Sequence, residues 1–503
     1  MPYIPRQYDS SNFFRAQAPL PNIINDMDAQ RINAYELYDD FYYNRPETFR
    51  VTCRGDSDVE IYLPSTKKIV NATARFLGVD FSYSLKGGNL DAVENFIENL
   101  FAREEIQRRF IRGKRSLLTR GDLVWYITAN PKKPEGKRLT INTIHPSSVF
   151  PIEDPDDNSH VKGWHIVDLV PDPREQEMEK GKQVARRQTY RRDRDSQITY
   201  DAALFEQGAW DDRFLKPGEL KPIQILSRTI TFPSEITAFP VYLVPNHEPD
   251  GSSWGMSLVA GVEYIINAVN QSITYEDLSL VLQGLGVYVS TAGPPIDPST
   301  NKPGKYKLHP GNVVEIDPGD DFKRVTGVMT LSPFQEHVST LDRWMMDGAG
   351  VPDMATGAIE VSVAQSGISL ALKMGPIIAE NSDRELALGG KWDQIGYDLL
   401  NGWIPAFENL NCGGTKWTTI FDDPMPINRE SYVNELIQLS VMNLITLQEV
   451  RDKLEAIGYE NTEGIVEELY EQMSRRATAQ SGMEGMSSGE YDESQVTSQY
   501  EEA

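Results

Sequence analysis

Residues 255–283 read GMSLVAGVEYIINAVNQSITYEDLSLVLQ, with apolar side chains at Met256, Val259, Val262, Ile265, Ile266, Val269 and Ile273. Spacings of three and four residues put these on one broad face of a helix. At 1.5 Å per residue such a helix is roughly 40 Å long, unusual in a globular domain and too long for a thin subunit to cover alone. Its charge is as constrained as its shape. No Lys or Arg occurs between Met256 and Thr300, and Glu263, Glu276 and Asp277 are the only formal charges before Asp297. A face this large has to be buried, and burial between copies of the chain is the expected arrangement.

The remaining sequence bounds what surrounds that helix. The chain has 503 residues and is 40% hydrophobic, 24% charged and 10% aromatic, enough for two or three domains with a sizeable core. A formal net charge of −25 argues against a conventional basic nucleic-acid binder. It is compatible with a protein that contains DNA without gripping it. The opening residues, MPYIPRQYDSSNFF, lack the apolar stretch of a secretory signal. The nearest approach to a membrane span, LSLVLQGLGVYV, contains Gln and Gly and falls short of about 18 apolar residues, so no membrane partner is expected. Cys53 and Cys412, far apart, read as two free thiols in a reducing compartment.

Residues 1–30 are rich in Pro, Asn and Asp and read as an N-terminal arm. In AYELYDDFYYN, Tyr35, Tyr38, Tyr42 and Tyr43 fall near helical spacing and read as core packing. STKKIVNATARFLGV continues the helical signal after Pro64. Residues 89–120 read as one longer helix with a basic end: Arg103, Arg108, Arg109, Arg112, Lys114, Arg115 and Arg120. The segments DLVWYITA, RLTINTI, GWHIVDLV, QITYDAALF and VYLVPN then read as strands, which makes 31–250 one α+β region. The charged stretch 172–195 inside it reads as a solvated loop or hairpin.

Beyond the long helix, 285–325 reads as two or three short strands with Pro/Gly turns. Val287–Ser290 and Val313–Ile316 are expected to pair with a neighbouring subunit, because an isolated small sheet is marginal. Ser332 and Pro333 open a second helix, Ser332 as N-cap, Pro333 at the first helical position and Gln335 completing a capping box. It runs to about Asp347. The stretch AGVPDMATGAIEVSVAQSGISLALKM follows as a small-residue loop, then a helix from about Gly367 to Asn401 with an interruption at Gly389 and Gly390. TKWTTIFDDPMPIN reads as strand and turn, and RESYVNELIQLSVMNLITLQEVRDKLEAIG as helix, turn, helix. From Ser474 the chain is polar, its last 27 residues lack Lys and Arg, and disorder is expected.

A search for chemistry finds little. Of six histidines, none forms a metal-ligand pair with a nearby Cys. His160 and His165 lie near Asp154, Asp156 and Asp157, which reads as an acidic turn, with a divalent-ion site as the alternative. The phosphate-loop, nucleophile-elbow and zinc-protease motifs are absent. GLGVYV lacks a third glycine and follows a helix, so it is no dinucleotide fingerprint. No catalytic, cofactor-binding or metal-ligating residue is assigned, and no enzymatic activity is expected.

The order of these elements, with a Gly-Val-Pro turn followed by Ser366, Gly367, Ile368, Leu370 and Leu372, resembles the portal protein of tailed bacteriophages. IHPSSVFPIEDP and FDDPMPINRESYVNELIQLSVMNLITLQEVRDKL resemble further portal segments, and the likeness covers roughly 35–475. Ser369 stands where Ala is more usual. The resemblance implies an α+β portal-like fold. Its parts are a wing at 31–250 with a return at 395–428, a stem helix at 251–283, a β-rich clip at 284–331 and a second stem helix at 332–347. A tunnel loop at 348–366, a long helix at 367–394, a helical crown at 429–475 and an acidic tail at 476–503 complete it.

It further implies a homo-oligomeric ring, usually a dodecamer, at one capsid vertex of the virion, assembled in the host cytoplasm. Double-stranded DNA would be packaged and ejected through it. The implied partners are the terminase large subunit, the major capsid protein, the scaffolding protein and the head–tail adaptor, without a cofactor. The tunnel-loop residues would be Gly350, Val351, Pro352, Asp353, Thr356, Glu360, Ser362, Gln365, Ser366 and Gly367. Glu263, Glu276 and Asp277 would mark the stem, and Lys302, Lys305 and Lys307 the clip rim.

The charge pattern agrees with that reading. Each neutralised phosphate strengthens non-specific DNA binding, so a wall without Lys or Arg lets a duplex slide. Glu360, repeated around a ring, would form a collar of like charge within about one Debye length of the phosphates. Gly348, Gly350, Gly357 and Gly367 would serve as hinges of the loop. The competing readings are an ordinary surface loop and a non-channel oligomeric virion scaffold or adaptor.

Overall fold

The computed structural model describes residues 26–52, 60–88, 90–154, 157–172, 183–193, 197–206, 222–249, 252–285, 287–291, 293, 296, 302–304, 318–325, 332–357, 367–422, 429–442 and 444–456. The chain divides into two units, Met1–Pro424 and Met425–Ala503. The first opens with helix α1 (Asp26–Tyr43), whose Tyr35, Tyr38 and Phe41 are buried while Tyr43 is exposed. Helix α2 (Ser65–Arg75), strand β1 (Val79–Lys86) and helices α3 (Leu90–Arg103) and α4 (Ile106–Arg120) follow.

The single helix expected over 89–120 is therefore two. Glu105 adopts a left-handed conformation, φ 51°, and breaks it. Buried Glu104 at the break accepts hydrogen bonds from Arg103 (3.1 Å) and Arg109 (3.1 Å). Much of the basic end is consumed internally. The Lys114 ammonium donates to the Leu77 carbonyl at 2.6 Å, and Arg120 pairs with Asp39 at 2.9 Å.

Strand β2 (Asp122–Ala129) is the centre of a three-stranded antiparallel sheet between β3 (Leu139–Ile144) and β9 (Val241–Pro245). A second antiparallel sheet has the order β4-β5-β6-β7-β8, from Val149–Asp154, Asp157–Pro171, Gln183–Arg192, Ile198–Glu206 and Gln224–Thr231. The stretch expected as a solvated loop or hairpin thus supplies β6, the sheet's middle strand. Register fixes two faces, since paired residues point to the same side. Phe150, Val167, Ala185, Ala203 and Phe205 pack under Ile32 of α1. Trp164, Ile166 and Tyr190 point the other way, into the main core.

Downstream come α5 (Glu263–Leu285), β10 (Val287–Ser290), β11 (Phe322–Val325), α6 (Ser332–Gly348) and α7 (Gly367–Asp398). A π-helical turn, Leu399–Trp403, leads into the short α8 (Ile404–Glu408), and β12 (Lys416–Asp422) returns to pair with β1. The interruption expected at Gly389 and Gly390 does not occur. Glycine serves contact there: a Cβ at Gly389 would lie 3.3 Å from the Phe421 ring, and one at Gly396 would lie 2.2 Å from the Trp417 ring. Leu388, Trp392 and Ile395 of α7, spaced for one helical face, enter the core, where Trp392 meets Trp125 edge-on at 4.8 Å. The second unit's described part is α9 (Arg429–Val441) and α10 (Leu447–Ala456). Cys53, residues 457–503 and the strand expected at Val313–Ile316 lie outside the described residues.

Candidate functional site

Helices α5 and α6 form an antiparallel pair. A Cβ on Gly348, at the end of α6, would lie 2.9 Å from Val262, just before α5 begins. At the opposite end, the chain leaves α5 into β10 and re-enters through β11, which pair with each other from Val287↔Val325 to Ser290↔Phe322. Within the chain, β10 thus has β11 along one edge.

The pair is fixed at its root by backbone. Helix α5 starts at Glu263, eight residues later than the apolar pattern suggested, because 255–262 is irregular chain threaded into the core. Gly255 donates its N–H to Asp122 Oδ1 at 3.0 Å, Met256 N–H donates to the Asn246 carbonyl at 2.7 Å, and Leu258 N–H to the Leu118 carbonyl at 2.8 Å. A Cβ at Gly255 would fall 2.3 Å from both Asn246 N and the Gly121 carbonyl oxygen, so only glycine fits. Arg384 of α7 joins from the side, its Nε donating to Asn246 Oδ1 at 2.8 Å.

Two tyrosines of α1 cap this root. Tyr35 donates to Asp122 Oδ2 at 2.5 Å, and Tyr38 donates to Glu263 Oε1 at 2.9 Å. Burial pushes the Asp122 carboxyl up to about 7, against the lowering effect of the Gly255 N–H, Tyr35 and Arg31. Burial raises Glu263 in the same direction, and its other oxygen accepts the Gly261 N–H at 2.7 Å. Glu263 is 0% exposed. It belongs to the root and is withdrawn from the stem surface to which the sequence reading assigned it, while Glu276 and Asp277 are half-buried.

Sequence reasoning missed a polar ladder along α5. Asn267 Oδ1 accepts the Arg50 N–H (3.1 Å), Asn270 Oδ1 the Leu63 N–H (2.9 Å), Gln271 Oε1 the Thr52 N–H (2.7 Å) and Thr274 Oγ1 the Ile61 N–H (3.1 Å). Residues 50–52 and 60–63 are thereby bound to the helix through their backbone. The signal was present: Asn267, Asn270, Gln271 and Thr274 stand at i, i+3, i+4 and i+7 in an otherwise apolar helix.

Burial fades from root to tip. Ile266, Val269, Asn270 and Thr274 are buried, Glu276 to Ser279 half-buried, and Leu280 and Val281 exposed. In α6, Leu341, Met345 and Met346 near the root are buried, but nothing from Ser332 to Thr340 is. The Ser332 hydroxyl donates to Glu336 at 2.9 Å, one residue beyond the Gln335 expected to complete a capping box.

The segment after α6 is anchored. Gly350 N–H donates to the Asp347 carbonyl (3.1 Å) and Val351 N–H to the Met346 carbonyl (3.0 Å), with Gly350 at φ 67°. This is a Schellman stop with an apolar residue after the left-handed glycine. Val351 (2% exposed) and Ala355 (5%) are core residues, so Val351 cannot line a channel, and Gly350 serves as a cap where a hinge was expected. Asp353–Thr356 is a 3-10 turn in which Thr356 Oγ1 donates to the Asp353 carbonyl at 2.7 Å. Pro352 caps that turn, Asp353 is exposed and Gly367 is the first residue of α7. Glu360, Ser362, Gln365, Ser366, Lys305 and Lys307 lie outside the described residues, while Lys302 is exposed beside an Ile296–Pro303 bridge.

His165 Nδ1 lies 3.0 Å from Thr189 Oγ1, and burial, with Arg187 and Arg191 adding, lowers the imidazole pKa to about 4. Among the described residues no His/Cys/Asp/Glu group could hold a metal ion, and no helix is long and apolar enough to cross a membrane.

No protein-family model matches the chain, and no curated protein matches its sequence. Solved structures do. A chain from the virion of a native gene transfer agent particle is 11% identical, with a TM-score of 0.40, covering 86% of this chain and 92% of that one. A chain from the neck of the native particle, computed with C12 symmetry, is 13% identical with a TM-score of 0.41, covering 86% and 94%. One from the neck of the empty particle, computed with C6 symmetry, is 12% identical with a TM-score of 0.42, over the same shares.

Proposed function

We propose that this chain is a portal-type ring subunit of a virion, a structural protein without a catalytic step. The observation that carries the reading is the α5–α6 pair: bound by backbone at its root, uncovered at its tip, and closed by a small hairpin. A helix pair that exposes Leu280, Val281 and Trp344 in the single chain is completed by neighbours in a closed ring. The ring is a dodecamer at one capsid vertex, assembled in the host cytoplasm. The span from Met256 to Thr300 is free of Lys and Arg, and the part of α5 beyond the root, from Tyr275 on, forms a channel wall along which double-stranded DNA slides.

Glu276 and Asp277 carry the wall's acidity, and Glu360 adds a further acidic position toward the duplex. The hairpin end, with Lys302, docks the terminase large subunit during packaging and the head–tail adaptor afterwards. The wing meets the major capsid and scaffolding proteins. Electron microscopy of the purified chain tests the proposal. A closed ring with a central hole wide enough for a duplex is expected. A stable monomer at micromolar concentration under all packaging conditions overturns it, and a closed assembly without a hole replaces it with the scaffold or adaptor reading.

A further inference from the structure

A cleft of about 800 Å³ lies between α2 and α4, with the ends of α1 and β3 completing its wall, and it takes no residue from the α5–α6 pair. Helical spacing makes it basic. Arg112, Arg115, Ser116 and Thr119 stand at i, i+3, i+4 and i+7 along one face of α4, and Lys67 and Asn71 lie one turn apart on α2. Lys67, Arg112 and Arg115 are exposed, and none of the three has a carboxylate partner among the described residues. Their sequence neighbours do. Lys68 pairs with Asp342 at 3.3 Å, Arg108 with Glu105 at 2.9 Å and Arg120 with Asp39 at 2.9 Å. The chain holds 74 Asp and Glu against 49 Lys and Arg, so three cations sharing a cleft without an acid are an exception to its own chemistry.

The cleft already shows how it takes a carboxylate. Asp39, on its wall, lies 2.9 Å from Arg120 Nε and 3.6 Å from His145 Nε2. Arg112 is oriented by Thr143, donating to its Oγ1 at 3.1 Å, which leaves further guanidinium N–H groups for a ligand. Tyr43 adds apolar surface: it is 63% exposed, its ring set against Tyr42 at 87° with centroids 5.3 Å apart. Cations beside an exposed aromatic ring suit two kinds of anion, a nucleic-acid strand and an acidic polypeptide. The charge of the rest of the chain decides between them. A nucleic acid carries its charge far past any one cleft, and a net charge of −25 repels whatever extends beyond the contact. A polypeptide confines a few carboxylates to the cleft and leaves neutral chain outside it, and each arginine matches a carboxylate bidentately. We propose that this cleft binds an acidic segment of a partner protein, with carboxylates on Lys67, Arg112 and Arg115 and an aromatic or aliphatic side chain on Tyr43.

Fluorescence anisotropy on the full-length chain tests this, with a fluorescein-labelled peptide of alternating Glu and Phe as the probe. The peptide should bind, and binding should vanish when every Glu in it is replaced by Gln. Arg112→Gln with Arg115→Gln should weaken binding about five- to tenfold, the loss expected of two exposed charge pairs. Arg108→Gln, on the same helix but outside the cleft, should leave it unchanged. All three side chains are exposed, so these substitutions leave the fold intact, which circular dichroism verifies. A single-stranded oligothymidylate of equal charge is the competing ligand. Tighter binding of that strand, lost in the same double variant, overturns the polypeptide in favour of a nucleic acid. Peptide binding that appears only after removal of 476–503 overturns the external partner, because the chain's own acidic tail then fills the cleft. Absence of binding to both forms of the chain, or binding indifferent to the double variant, overturns the site.

Discussion

The two halves of α5 obey different rules. Its first half, Glu263 to Thr274, is held by Tyr38, by a ladder of amide and hydroxyl side chains, and by the Gly255 crossing beneath it. The second half, from Tyr275 on, has no buried residue among those described. One half draws its stability from the single chain, and the other has apolar side chains still waiting for a surface. Under the proposed function, the same 3.6-residue repeat serves two states, a folded subunit and an assembly. Substitutions that separate those states test the division most directly.

The largest effect is expected at Gly255. Any Cβ there lies within 2.4 Å of three backbone atoms of Asn246 and Gly121, and backbone cannot rotate aside as a side chain can. Gly255→Val should cost more than about 4 kcal/mol in urea unfolding, the range of severe core disruption. The contrasting site is Gly293 near the tip, with nothing within 4 Å of its Cβ position. Gly293→Ala should change stability by less than about 0.5 kcal/mol. Equal effects at the two would erase the distinction between root and tip.

The ladder comes next. Asn270→Leu keeps the volume but leaves the Leu63 N–H without its acceptor, a loss of roughly 1–3 kcal/mol. Thr274→Val does the same to the Ile61 N–H with almost no change of shape. Amide hydrogen exchange at Leu63 and Ile61 should accelerate in the matching variant and not in the other. Unchanged exchange in both would mean that 60–63 is held by something besides α5.

A third effect is smaller and depends on pH. The Asp122 carboxyl titrates near 7 in the folded chain because burial opposes its charge, against an ordinary value of 3.8. The folded state therefore binds the extra proton between those values. Its contribution is fully present below about 4 and is lost as pH rises through 7, with a slope of roughly 1 kcal/mol per pH unit. Asp122→Asn, whose amide can still accept from Gly255 and donate to Tyr35, should remove that slope. The readout is the difference between wild type and variant in unfolding free energy at pH 5 and pH 8, since other carboxylates titrate in both. A parallel pair of profiles would show that Asp122 is ionised throughout.

Much of this was legible in the sequence, and the exceptions share a cause. Strands such as Asp122–Ala129 and helix Ser332–Gly348 follow from local pattern alone, period two in one and Ser-Pro with i, i+4 apolar residues in the other. The root was not legible. Met256, Val259 and Val262 continue the apolar repeat of α5 although they precede the helix, because residues threaded through a core are as apolar as a helix face. Glu263 looked like a surface charge because only the fold brings Tyr38 to it across 225 residues of chain. Gly350 and Val351 were read as a mobile turn, yet the same Gly-Val-Pro sequence is a helix stop with a buried apolar residue. Gly389, with Gly390, looked like a break, because sequence does not show which aromatic ring will press against a glycine.

The smallest expected effect on folding is also the sharpest on assembly. Leu280 and Val281 are each 46% exposed on the last turns of α5, and no core residue depends on them. Replacing both with Gln keeps helix propensity and chain length while removing apolar area at the tip. In the monomer this should move the urea midpoint by less than about 0.5 kcal/mol equivalent, as for ordinary surface sites. In assembly the outcome differs, since each change recurs in every subunit and each interface loses both side chains. At about 25 cal/mol per Å² of apolar area, even a partial loss repeated around a closed ring moves the equilibrium strongly toward free subunits. Analytical ultracentrifugation across a concentration series should show rings for wild type where the double variant is monomeric. If the variant instead unfolds, the tip belongs to the subunit core. If it assembles normally, the exposed apolar turns face the solvent of the channel, and the neighbour must be sought on another face of the pair.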